Sequence, residues 1–116
     1  MEFEHYTVVL LVTNQDEPTW AEGEREALQD AHLSHLADLH EAGHLLAVGP
    51  LADPGGELRG LLLFRAGAEE AQALSADDPA VKAGAFLLRV MPWSIPAGGV
   101  QFTPTRLPRS MADVLG

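Results

Sequence analysis

The chain has 116 residues and a mass of 12.4 kDa, with seven Lys and Arg set against 17 Asp and Glu for a net charge of −10. That length holds one domain with a thin core and excludes two independent ones; domains this small often bury more surface by oligomerising. The acidic balance argues against nucleic acid or an anionic membrane as partner, because Lys and Arg are what neutralise phosphates, and the absence of cysteine excludes disulfides, thiolate metal sites and Cys nucleophiles.

The start, Met1-Glu2-Phe3-Glu4, lacks the basic flank of a signal peptide, and no later run reaches the roughly 18 to 20 apolar residues of a membrane helix. A cytoplasmic protein is expected. His5 to Val12 is β-branched and aromatic and reads as a strand, closed by Asn14-Gln15-Asp16-Glu17-Pro18. Glu22 to Ala42 carries helix formers throughout, with Gly43 where a C-terminal glycine belongs. His44 to Leu51 and Leu58 to Arg65 flank Asp53-Pro54-Gly55-Gly56 and read as an antiparallel hairpin. A short helix begins at Ala68 with acids in its first turn and stops before Pro79, which disfavours helical backbone at Asp78. Ala85 to Met91 is the last strand, closed by Pro92-Trp93, and the proline-bearing stretch from Ile95 to Gly116 is expected as an extended arm. Residues 1–94 thus form one domain and 95–116 its arm.

The order β-α-β-β-α-β is the ferredoxin-like α+β arrangement, with two helices on one face of an antiparallel sheet. The other face should alternate polar residues if it were wet, yet Tyr6, Val8, Leu10 and Val12 alternate with Val9 and Leu11, and Leu62 and Phe64 with Leu61 and Leu63. Both faces read as dry. A homodimer through the sheet faces is the expected cover, with the tail folding back as the alternative. A charge at Leu10 or Leu62 should then damage pairing or folding.

On a helical wheel of about 100° per residue, Leu28, Leu36 and Leu39 fall within about 40° of His32, while Asp30, Ser34, Asp38 and Glu41 gather on the opposite, solvated side. His32 sits in the apolar stripe. A buried imidazole without a partner costs about 1 to 3 kcal/mol, so an acceptor must come from elsewhere in the fold. One reading is a core histidine satisfied by a backbone carbonyl. The other is a general acid or base oriented by a carboxylate, and Asp78, where proline enforces extended backbone, is placed to supply it.

Ala31-His32-Leu33-Ser34-His35-Leu36, then Glu41 to Leu51 with Gly49-Pro50, then Asp78-Pro79 with Gly84 five residues on, and finally Pro92-Trp93, resemble the YciI-like (YCII-related) family over roughly His5 to Trp93. The resemblance implies a ferredoxin-like fold pairing as a dimeric α+β barrel, a pocket where His32 and Asp78 stand together, and Gly49 and Pro50 in its wall. One branch of that family resembles a dehydrochlorinase of chlorinated hydroxyquinols. This chain departs from the pattern at Gln29, where many members carry arginine, and at Ala80, where many carry an aromatic residue. The charge partner of an anionic substrate would then fall to Arg59, Arg65, Lys82 or Arg89.

His35, Ser75 and Trp93 complete the candidate substrate-binding set, although Trp93 suits a core or dimer contact better than the lining of a pocket. His32 and His35 stand at a spacing that can share a metal, but a good site wants a third ligand, and His40 and His44 read as surface or helix-end residues; neither metal nor cofactor is expected. The sequence therefore reads as a small dimeric enzyme using His32 and Asp78 for elimination, isomerisation or a related lyase step on a small cyclic or aromatic substrate. The alternative is a ligand-binding or dimerisation module with a structural His–Asp pair. A catalytic pair should open onto a cavity; a structural one should be packed shut.

Overall fold

A computed structural model describes all 116 residues. Strand β1 (Phe3–Thr13) leads through a turn into α1 (Glu22–Glu41), followed by β2 (Leu45–Pro50), β3 (Leu58–Phe64), α2 (Ala68–Ala76), α3 (Pro79–Lys82), β4 (Phe86–Pro96) and α4 (Met111–Leu115). The sheet runs β2-β3-β1-β4 and every pairing is antiparallel, which is the ferredoxin-like α+β fold. No helix is long and apolar enough to cross a membrane.

Helix α1 ends as its glycine requires. Gly43 takes φ +86°, its N–H donates to His40 O and that of His44 to Leu39 O, which satisfies two carbonyls that would otherwise be orphaned. In the β2–β3 turn, Asp53 accepts from the N–H groups of Leu58 and Gly55, and these bonds hold its carboxyl below the ordinary carboxylate pKa. The core lies between sheet and helices: Val9, Leu11, Leu62 and Phe64 meet Leu36, Leu39, Leu45 and Ala71. Leu62 therefore faces the helices and Leu10 the other side, so only one of the two substitutions considered above probes the outer face.

Three expectations are corrected at the C-terminal end. Pro92 does not close the last strand: β4 continues to Pro96, pairing Pro92 with Thr7 and Pro96 with Phe3, because β4 is an edge strand and its prolines forfeit no ladder bond. The arm is not wholly extended, since it ends in α4 with Ser110 as its N-cap. The polar side of α1 is not simply solvated either. Arg109 bonds Ser34, Asp38 and Glu41, and Met111 N–H donates to Asp30.

The arm reaches that surface by way of the outer sheet face. Val100 and Phe102 pack against Tyr6, Leu63 and Ile95, with the Phe102 ring edge-on to Tyr6 at 5.5 Å. Further on, Thr105 N–H donates to His40 Nε2, and Leu107 packs against the main core. The tail thus covers part of the outer face of its own chain. Leu87, Met91 and Trp93, aligned along β4 opposite Val12, Val8 and Tyr6, stay 52%, 41% and 47% exposed.

Candidate functional site

His32 comes from the buried stripe of α1 and Asp78 from the junction of α2 and α3. Pro79 at the first position of α3 sets extended backbone at Asp78 (φ −60°, ψ 126°), so its carboxylate can turn back as the helix cap: Oδ1 accepts from Ala80 N–H at 2.9 Å. The other oxygen is left for the ring. Oδ2 lies 2.5 Å from His32 Nδ1, and the two residues are 2% and 6% exposed. Gly84 closes α3 at φ +87°, and Pro18 packs so near that a Cβ would come within 3.3 Å of its ring. The segment from Asp78 to Gly84 is a clamp that fixes one carboxylate beneath α1.

The hydrogen-bond pattern determines the tautomer. A capping carboxylate can only accept, so Nδ1 carries the proton, and in the neutral imidazole Nε2 is the nitrogen with the lone pair. Nε2 makes no bond to the protein, and the one sealed side-chain atom without a partner is Ser75 Oγ; Nε2 therefore meets the small opening that remains. Phe86 lies beside the imidazole, ring centres 5.6 Å apart and tilted by 48°.

The other candidates separate into groups. Ser75 is 2% exposed and its carbonyl accepts from Asp78 N–H, so it belongs to the wall of the pair. His35 is committed to structure, its Nε2–H donating to Leu74 O at 2.9 Å and tying α1 to α2. Gly49 and Pro50 end β2 beside Leu61 and Gly60. Trp93 lies across from Tyr6 on the outer sheet face and is not brought to His32. No group of three His, Asp or Glu stands close enough to hold a metal ion.

Two surface depressions of the chain lie away from the pair. One is at the start of α2, around Gly67 to Glu70, and the other is formed within the tail itself, between Arg106 and Gly116; neither is lined by His32 or Asp78.

A residue that sequence reasoning did not single out is Phe86, the ring next to His32. The signal was its place at the inward-facing start of the last strand. Of the four cations considered for substrate charge, the structure brings Arg59 nearest to this ring, its guanidinium carbon 5.8 Å from the Phe86 centre.

The chain matches the family model of the YCII-related domain over residues 7–94. No curated protein matches it. Among solved structures it is similar to 5-chloro-2-hydroxyhydroquinone dehydrochlorinase from Burkholderia phenoliruptrix AC1100, in complex with 2,5-dihydroxybenzoquinone, at a TM-score of 0.55 and 22% identity over 76% of this chain and 92% of that one. At that identity the likeness shows the fold.

Proposed function

Because the chain belongs to the YCII-related domain family, we propose that it is a small cofactor-independent enzyme in which His32 and Asp78 perform acid–base chemistry on a cyclic or aromatic substrate. The observation that carries this is that His32 Nδ1 is held by Asp78 while Nε2 has no partner in the protein. A buried His–Asp pair with both nitrogens bonded would be architecture; this one leaves its basic nitrogen facing an opening.

In an elimination, Nε2 takes a proton from a ring carbon, the C–H electron pair becomes the new double bond, and the leaving group departs with its own bonding pair. Asp78 does not take the proton. Its carboxylate holds Nδ1–H and offsets the positive charge that the imidazole gains. The proton then leaves from Nε2 by the same opening, or returns to another substrate carbon in an isomerisation. A fold shared with a dehydrochlorinase supports the first of these.

The test is chloride release from a chlorinated hydroxyhydroquinone by the wild-type chain and by His32→Gln. Release that His32→Gln abolishes while the far-UV spectrum is unchanged is the expected result; equal release by both chains refutes the role of His32. The slight exposure of the pair favours a second reading, a binding module. Binding of the same compound without turnover would establish it.

The reading includes a homodimer formed through the outer sheet face. The exposed stripe of Leu87, Met91 and Trp93 supports it, since the tail leaves these side chains uncovered.

A further inference from the structure

Most cations of this acidic chain are already neutralised. Arg25, Lys82, Arg89 and Arg109 each lie within 4.0 Å of a carboxylate. Arg59 has no such partner. Its place in β3 is also irregular, because the register with β1 slips between Leu11, opposite Gly60, and Val12, opposite Leu58. Arg59 is the extra residue of that bulge, and a bulge re-aims the side chain it carries. Strict alternation would send Arg59 to the outer face with Leu61 and Leu63. Instead its guanidinium lies over Phe86, whose strand neighbours Leu88 and Val90 pack on the helix-side core, and Phe86 in turn abuts His32.

We propose that Arg59 receives the negative charge of the substrate, so that the site takes small aromatic anions, a ring bearing a carboxylate or an acidic enol, in preference to neutral rings. This rests on the placement of the chemistry at His32 Nε2. A chain of net charge −10 repels anions at long range, so an anionic substrate needs a local positive point. A guanidinium steadied by an aromatic face and free of carboxylate partners supplies one, with donors in the planar fork that matches a carboxylate. The other three cations considered for this role do not: Arg89 lies on the outer face opposite Leu10 and is paired with Glu57, Arg65 follows β3 and its charge acts on Tyr6 of that same outer face, and Lys82 is paired with Asp77.

The experiment is calorimetric titration of the full-length protein with 2,5-dihydroxybenzoate and with hydroquinone, the same ring without the carboxylate. The wild type should prefer the benzoate on the order of tenfold, Arg59→Gln should erase that preference, and Arg89→Gln should keep it. Equal affinity in the wild type, a preference surviving in Arg59→Gln, or its equal loss in Arg89→Gln overturns the assignment. His32→Asn separates this from the catalytic reading. A preference intact in His32→Asn, with no chain turning over any substrate, sinks the catalysis and leaves the anion site; turnover that depends on His32 without charge preference does the reverse.

Discussion

Replacing Asp78 with Asn tests the pair without a substrate. Asn is nearly isosteric, and the Ala80 N–H that now donates to Oδ1 can be met only by the amide oxygen. The amide NH2 must then face His32 Nδ1. Two donors cannot share a hydrogen bond, so the ring is forced to shed its Nδ1 proton and carry it on Nε2. A charge-assisted bond of about 1.5 to 3 kcal/mol is exchanged for a neutral one of about 1, a net loss of roughly 1 to 2 kcal/mol. At about 4 °C per kcal/mol for a domain of this size, Tm should fall by about 4 to 8 °C. Asp78→Ala also loses the cap, about 1 kcal/mol, and strands a buried N–H, so its loss should approach about 3 to 5 kcal/mol. Multiple-bond 15N NMR of the imidazole reads the tautomer directly, and calorimetry reads Tm. Turnover, where a substrate is in hand, should fall by about 10⁴, the scale found when another enzyme's histidine is held in the wrong tautomer. An Asp78→Asn chain in which Nδ1 still carries the proton, or an Asp78→Ala chain as stable as the wild type, would refute the assignment of Nε2 as the free base.

Asp53 makes the hairpin acid-sensitive: its folded pKa is depressed, chiefly by the Leu58 N–H and then by that of Gly55. The stability it contributes is present above its unfolded pKa near 3.9 and lost as pH falls through the lower folded value, so Asp53→Asn should flatten the acid limb of a stability–pH curve and leave the neutral region parallel to wild type. Arg109→Ala should free the tail from Asp38 and Glu41, seen as faster amide exchange at Val114 and Gly116 with little change in global unfolding; unchanged exchange would show that the remaining anchors, Met111 on Asp30 and Leu107 on the core, hold α4 without the ion pairs. On the sheet, Leu62→Asp should unfold the chain by more than about 4 kcal/mol, whereas Met91→Glu should leave it folded and shift its sedimentation toward monomer. A monomeric wild type would remove the proposed dimer.

The order of elements and the antiparallel hairpin were legible because the β-branched runs and the Asp53–Gly56 turn carry short-range signals. The His32–Asp78 contact was legible for a different reason: a histidine centred on a leucine stripe demands an acceptor, and Asp-Pro is one of few places where extended backbone can aim a carboxylate. Its second duty, capping α3, was not, since a four-residue helix has too few turns to show a period. The continuation of β4 through Pro92 was missed because proline forbids only a central position, and whether a strand lies at the edge is decided by pairing with β1, more than 80 residues away in sequence.

The polar side of α1 shows why solvent and partner are hard to tell apart. Asp30, Ser34, Asp38 and Glu41 have the composition of a wetted face, and composition is blind to a cation returning from Arg109, 71 residues beyond Asp38. Arg59 poses the converse problem. Alternation assigns it to the outer face, and only the one-residue slip against Val12 turns it toward Phe86. A bulge leaves no mark in the hydrophobic pattern of β3, yet it decides on which side of the sheet a full charge stands. Straightening the bulge by deleting Leu58, so that Arg59 takes the place opposite Val12, would restore strict alternation, turn Arg59 to the outer face and cost the site its anion preference while the His32–Asp78 bond, anchored in α1 and α3, stays formed; NMR of the imidazole beside a benzoate titration would show the two properties separate.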